Sequence, residues 1–253
     1  MHSFKPPILD EYWANGMRYW SFGDHAVITD NYIELNRAPL TGSSTSQSGY
    51  LWNRHPNHAE SFDINVTVSV LVVGAWLHGA PGGMAIWYTS ATPRHIQKNS
   101  FFGGLPKFEG LGIVYDHTGA VNLVVNNGEE LVSPQQASRG SCIVPLTPVP
   151  VTFWVQYNHQ KQELNVMFSN DGASIMIECA TAHSVKLPAR NYFGVTGLID
   201  ANSQATHVVH SFFVKPLRKS AESSEEEESE KESNDLFNIN KDKEEQVAAI
   251  DKE

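Results

Sequence analysis

The sequence predicts an all-β chain: an antiparallel β-sandwich over residues 1–217, followed by a disordered or partly helical acidic tail over residues 218–253. Three observations predict it. Strand-length apolar segments rich in Val, Ile, Phe, Tyr and Trp recur between Gly, Pro, Asn and Asp breaks. No stretch before residue 219 repeats at helical spacing, and the composition changes abruptly after Pro216. Many short strands without intervening helices pack as a sandwich or barrel of antiparallel sheets. With 253 residues, 41% of them hydrophobic, the chain is long enough for one large β domain.

The expected strands, in order, are 19–22, 32–35, 62–73, 84–88, 112–115, 121–125, 151–157, 163–168, 174–179, 192–195 and 208–214. Asn126-Asn127-Gly128 follows the 121–125 run, and Asn170-Asp171-Gly172 separates 163–168 from 174–179. Asn-Gly and Asp-Gly supply the positive φ angles of hairpin turns. Residues 41–48 read as a polar loop, and Gly79-Ala80-Pro81-Gly82-Gly83 as a break before Met84.

The charge is unevenly placed. The net charge is −10, and residues 219–253 hold 13 acidic against 5 basic residues. That segment, centred on Ser223-Ser224-Glu225-Glu226-Glu227-Glu228, buries too little apolar surface to fold alone and reads as a solvated tail. No Lys/Arg cluster stands ready to neutralise phosphates, so nucleic acid is not an expected partner. There is no run of 18 or more apolar residues and no charged-then-apolar leader at Met1. Cys142 and Cys179 stand 37 positions apart outside any CxxC pair, which leaves a bridge and two unpaired core thiols as competing readings.

Five stretches in order carry a resemblance: Trp20-Ser21-Phe22-Gly23-Asp24, Gly49-Tyr50-Leu51-Trp52-Asn53-Arg54, and Gly83-Met84-Ala85-Ile86-Trp87-Tyr88-Thr89. The last two are Phe102-Gly103-Gly104 leading to Phe108-Glu109-Gly110-Leu111-Gly112-Ile113, and Tyr192-Phe193-Gly194-Val195 before Ser211-Phe212. Together they resemble the L-type (leguminous-type) lectin domain of ER and Golgi cargo receptors. The resemblance implies a jelly-roll, concanavalin-like sandwich and a Cys142–Cys179 disulfide. A disulfide in turn implies an oxidising lumen of the secretory route. Closing a loop of this length contributes roughly 3 to 4 kcal/mol in the chain-entropy account.

Members of that family bind high-mannose glycans through calcium-fixed loops, and here the implied ligand set is depleted. Gly82, in Pro81-Gly82-Gly83-Met84-Ala85, stands where the family's sugar-gripping aspartate is expected. Tyr50 replaces a small serine. The aspartate-rich calcium loop is reduced to Tyr115-Asp116-His117-Thr118-Gly119, in which Asp116 alone matches a ligand, and Val132-Ser133-Pro134-Gln135-Gln136-Ala137 replaces a Tyr-Asp-His string. Thr196-Gly197-Leu198-Ile199-Asp200 corresponds to the loop that closes the sugar site. Calcium prefers roughly six to eight oxygens, so no family-type calcium site and no other cofactor is expected. The ligand-binding candidates are Tyr50, Gly82, Gly83, Asp116, Leu198 and Asp200, with Trp76 and His78 as further candidates for an altered ligand surface.

Catalysis finds no foothold in the sequence. Retaining glycosidases of this fold need two carboxylates roughly 5 Å apart, and Glu60 with Asp63, three apart on a strand, read as a solvated edge. No GxSxG, HExxH, P-loop or GxGxxG string occurs. His55 with His58, and His207 with His210, read as exposed or core histidines rather than a metal site. Trp52, Trp87 and Trp154 read as core. Asn65-Val66-Thr67 is a glycosylation sequon inside an expected strand, and reads as a chance match. The expected role is a lectin-like cargo-receptor module of the ER/Golgi lumen that binds glycoprotein cargo, with high-mannose glycan a candidate ligand and recognition degenerate or altered. The alternative is a lectin-derived protein-interaction domain that binds no sugar. Oligomers, if formed, would use sequence beyond the lectin-like domain.

Overall fold

The computed structural model describes residues 1–13, 16–37, 45–72, 82–97, 100–131, 133, 137–146, 149–170, 175–200 and 205–217. Trp76, His78, the Asp171-Gly172 turn and the acidic tail lie outside them, as do Val132 and residues 134–136. The described residues form β1 (Tyr12–Trp13), β2 (Gly16–Met17), β3 (Trp20–Asp24), β4 (Val27–Ile28), β5 (Ile33–Asn36), β6 (Gln47–Asn53), β7 (Phe62–Val72) and β8 (Gly82–Thr89). They continue with β9 (Glu109–Asp116), β10 (Ala120–Asn127), β11 (Ser138–Ile143), β12 (Val151–Asn158), β13 (Glu163–Asn170), β14 (Ile177–Ala182), β15 (Tyr192–Ile199) and β16 (Ala205–Pro216).

Two antiparallel sheets of seven strands make the sandwich. The front sheet runs β11-β10-β9-β8-β15-β6-β3 and the back sheet β14-β13-β12-β7-β16-β5-β4. Side chains alternate across each strand. On β12, Val151, Phe153, Val155 and Tyr157 are buried while Thr152, Trp154, Gln156 and Asn158 are half-exposed on the outer face. Trp154 is therefore not a core residue. Between the sheets lies the main core, which includes Leu51, Ile86, Tyr88, Ile113, Phe153, Val166, Phe193 and Phe212.

The front sheet is covered on its other side too, which explains why β8 is buried at nearly every position. Trp52, Ala85, Trp87, Leu105, Phe108, Val114 and Val124 form a second apolar cluster there. The chain between β8 and β9 folds back over the sheet to supply Leu105 and Phe108. Trp87 donates its indole N–H to Thr196 Oγ1 at 2.9 Å, and Trp52 donates to the Ala91 carbonyl at 3.1 Å. Each ring thus buries its large apolar area with its polar atom satisfied.

The strands that escaped sequence reading are β6, β11 and the two-residue β1, β2 and β4. Residues of β11 alternate between half-exposed and exposed, as befits a polar edge strand. Gly128 takes a positive φ of 84° after Asn126-Asn127, but the turn does not close a tight hairpin, because the partner strand β11 begins only at Ser138. Cys142 on β11 and Cys179 on β14 form a disulfide with Cα atoms 5.1 Å apart, joining the two sheets at their matching edges.

Candidate functional site

Four adjacent strands of the front sheet, β9, β8, β15 and β6, bring most of the candidates together. Gly83 is the partner of Asp116 on one side and of Leu198 on the other, and Leu198 faces Ser48 across the next ladder. Gly82 lies beside Ile199, and Asp200 follows at the strand end, where Ser46 donates to its Oδ1 at 3.1 Å. Tyr50 sits two positions further along β6, paired with Thr196. Its ring lies across Gly23 of β3, so close that a Cβ at Gly23 would stand 2.5 Å from the Tyr50 hydroxyl.

The space around this row is filled by the chain itself. Gly82 has φ +142° and Gly83 φ +143°, a backbone region that side chains with a Cβ rarely enter. A Cβ on Gly82 would stand 2.6 Å from the Leu198 carbonyl oxygen and 2.7 Å from His117 Cε1. At Gly83 it would meet the backbone of Tyr115 and Asp116, with Phe102 at 3.1 Å. An aspartate side chain at position 82 thus has neither the backbone conformation nor the room.

His117 holds that position through a buried polar chain. Its Nε2 lies 3.0 Å from His207 Nε2, with the two rings nearly parallel at 17°. His207, on β16 of the back sheet, is fully buried; its backbone N–H donates to Asn36 Oδ1 at 3.0 Å, and Asn36 Nδ2 lies 3.0 Å from its Nδ1. Asn36 Oδ1 lies equally close to His207 Nδ1, at 3.0 Å, so Asn36 partners either tautomer of His207, and one of the two facing Nε2 atoms carries the proton shared between the rings. Burial pushes His207 well below the ordinary histidine range, and proximity to His117 pushes the same way. Neither histidine stood out in the sequence for this role, because no spacing announces a contact between residues 90 positions apart.

Asp116 is committed to its own turn. Its Oδ1 accepts the backbone N–H of Thr118 at 2.8 Å, the Thr118 hydroxyl, and the backbone N–H of Ala120 at 3.1 Å. Such hydrogen bonds tie a short loop between β9 and β10. Among the described residues no cluster of three His, Cys, Asp or Glu side chains converges.

The opposite end of the same strands is open. A depression of about 620 Å³ lies there, lined by Arg94, Gln97, Lys107, Glu109 and Asn127 beside apolar Ile96 and Phe108. None of these was a sequence candidate. They converge because Glu109 opens β9, Asn127 ends β10 as its ladder partner, and Ser90 leaves β8 next to both. The sequence signal was weak, since the lining comes from loops with no motif.

The carboxylates weighed for catalysis separate. Glu60 is exposed. Asp63 is buried on the central strand β7, between Gln156 and Lys215, and does not form a solvated edge. Burial raises its carboxyl above the ordinary range, opposed by a hydrogen bond from Gln156 and the charge of Lys215.

The chain matches the legume-like lectin family over residues 1–223. It belongs to that family. Among curated proteins it is 28% identical over 195 residues to the human VIP36-like protein and 27% identical to that of the mouse, matching 71% of this chain and 53% of theirs. The chain thus spans about half the length of these relatives. Among solved structures, the VIP36 exoplasmic/lumenal domain in its calcium- and mannose-bound form superposes with a TM-score of 0.73 at 22% identity, covering 86% of this chain and 91% of that one. The Emp47p carbohydrate recognition domain gives 0.67 at 20% identity, covering 85% and 95%. The legume lectin-like domain of Entamoeba histolytica gives 0.63 at 14% identity, covering 79% and 91%. These likenesses establish the sandwich fold.

Proposed function

We propose that this chain is a lectin-like cargo-receptor module of the early secretory pathway that engages glycoprotein cargo without a calcium-fixed mannose clasp. The observation that carries the reading is the filled row at Gly82, where His117 and the Leu198 carbonyl occupy the position an aspartate side chain would need. Asp116 spends one carboxylate oxygen on its own turn, and one remaining oxygen falls short of the roughly six to eight that calcium takes. Among the described residues, those at this end do not fit the metal.

Membership of the legume-like lectin family and the likeness to VIP36-like proteins support the secretory placement. The Cys142–Cys179 disulfide supports an oxidising lumen. Binding rather than catalysis is the role proposed, since Glu60 is exposed while Asp63 is buried and family membership points to recognition. The open depression at Arg94, Gln97, Lys107, Glu109 and Asn127 is the better-formed surface for an altered contact, because it combines polar groups with the apolar Phe108 and Ile96.

A second reading rests on the same filled row: a lectin-derived protein-interaction domain that takes no sugar. A glycan array probed with and without chelator separates the two. Chelator-insensitive binding to glycans sustains the first, and binding to none leaves the second. Calorimetric titration with high-mannose oligosaccharide in calcium is expected to give no EDTA-sensitive heat; clear EDTA-sensitive heat would overturn both.

A further inference from the structure

We infer that Asn65 is an N-glycosylation site, and that its glycan covers the centre of the outer face of the back sheet. Asn65-Val66-Thr67 is the one Asn-x-Ser/Thr string in the 253 residues. Its place inside a strand argued for chance at the level of sequence. In the fold that objection fails. β7 is the central strand of the back sheet, with Val66 turned into the core and Asn65 exposed on the opposite face.

The surroundings of Asn65 suit a sugar. Its ladder partners are Phe213 on β16 and Trp154 on β12, and Met167 on β13 continues the same row. Phe213 is 40% exposed, the one aromatic ring among the exposed large hydrophobic side chains of the described residues. An asparagine-linked sugar rising from the middle of this row meets an aromatic ring on either side, and aromatic faces pack against the C–H faces of pyranose rings. The glycan would shield apolar area that the fold otherwise leaves to water.

The chemistry is compatible with a strand because transfer precedes folding. The acceptor is Asn65 Nδ2 and the donor an oligosaccharide carried on a lipid diphosphate. The C1–O bond to phosphate breaks, a C1–Nδ2 bond forms, the lipid diphosphate leaves with the electron pair, and the amide proton passes to base. Thr67 is needed only in the unfolded chain. In the folded one its hydroxyl is free to pair with Thr152 Oγ1, as it does at 2.9 Å. The folded sheet must then tolerate the product, and outward-facing Asn65 does.

The inference rests on passage through the secretory lumen, and the test separates that from the site itself. The full chain is expressed behind a cleavable secretory leader in a eukaryotic host, with a second sequon added after Glu253 as a report of lumenal entry. Peptide mass spectrometry after amidase treatment is expected to find an aspartate in place of Asn65. A gel shift is expected to disappear at this site in Asn65→Gln and in Thr67→Ala, and to persist in Thr67→Ser. An occupied added sequon with unmodified Asn65 overturns the inference and leaves cargo binding untouched. Occupancy at Asn65 with no glycan bound on the array leaves the inference standing and removes the lectin reading instead.

Discussion

The two ends of the front sheet differ in what fills them. At one end, Gly82, Gly83, Asp116 and Leu198 meet in a single row, and His117 and Phe102 close over it. At the other end, Glu109, Asn127 and Lys107 surround an open depression. The same strands build both. The difference teaches that a sheet can keep a family's scaffold while side chains from the loops decide which end can admit a ligand.

Placing an aspartate at Gly82 is the hardest way to break the comparison. Gly82→Asp is expected to cost about 2 to 4 kcal/mol in urea unfolding, from backbone strain plus overpacking against His117 and Leu198. Adding His117→Ala should recover the share due to His117 and leave the backbone strain and the contact with the Leu198 carbonyl. A cost below about 0.5 kcal/mol would mean that the closed end has slack.

The next effect concerns pH. His207 is held neutral in the fold, below its unfolded value of 6.5. The unfolded chain therefore binds a proton there that the folded chain refuses. Stability contributed by neutral His207 is present above pH 6.5 and lost as pH falls below it, by up to about 1.4 kcal/mol per pH unit. Urea midpoints measured across that range should fall toward acid, with a shallower fall in His207→Gln. Equal slopes in the two proteins would remove His207 as the cause.

At the open end, Arg94→Ala and Lys107→Ala should each leave stability within about 0.5 kcal/mol, since both side chains are exposed. If the array identifies a glycan, the same substitutions should weaken it, and unchanged binding would move the contact elsewhere. The smallest expected effect is that of calcium. Saturating a native site at about 100 times its Kd would add roughly 2.7 kcal/mol; thermal melts with calcium and with chelator should coincide, and a calcium-dependent rise in Tm would reopen the closed end as a metal site.

Much of the fold was legible in the chain. Residues of β7, β12 and β13 alternate as a half-covered strand must, and their boundaries fell close to expectation. β11 was not legible, because an edge strand buries little and its Ser, Arg, Gly and Cys show no apolar period. The candidate row at Gly82, Asp116 and Leu198 came from the family resemblance, and the sheet register brings those residues side by side. The glycine at position 82 was visible as a letter, but not the packing of His117 and the Leu198 carbonyl against it.

The sequence by itself determined that the chain is a β-sandwich, because alternation, turn residues and motif order are local properties. Only the tertiary structure decided that His117 packs against Gly82, that Asp63 is buried and that Asn65 faces outward. These depend on which strands become neighbours, and strand order joins residues far apart in the chain through ladders that no local pattern records.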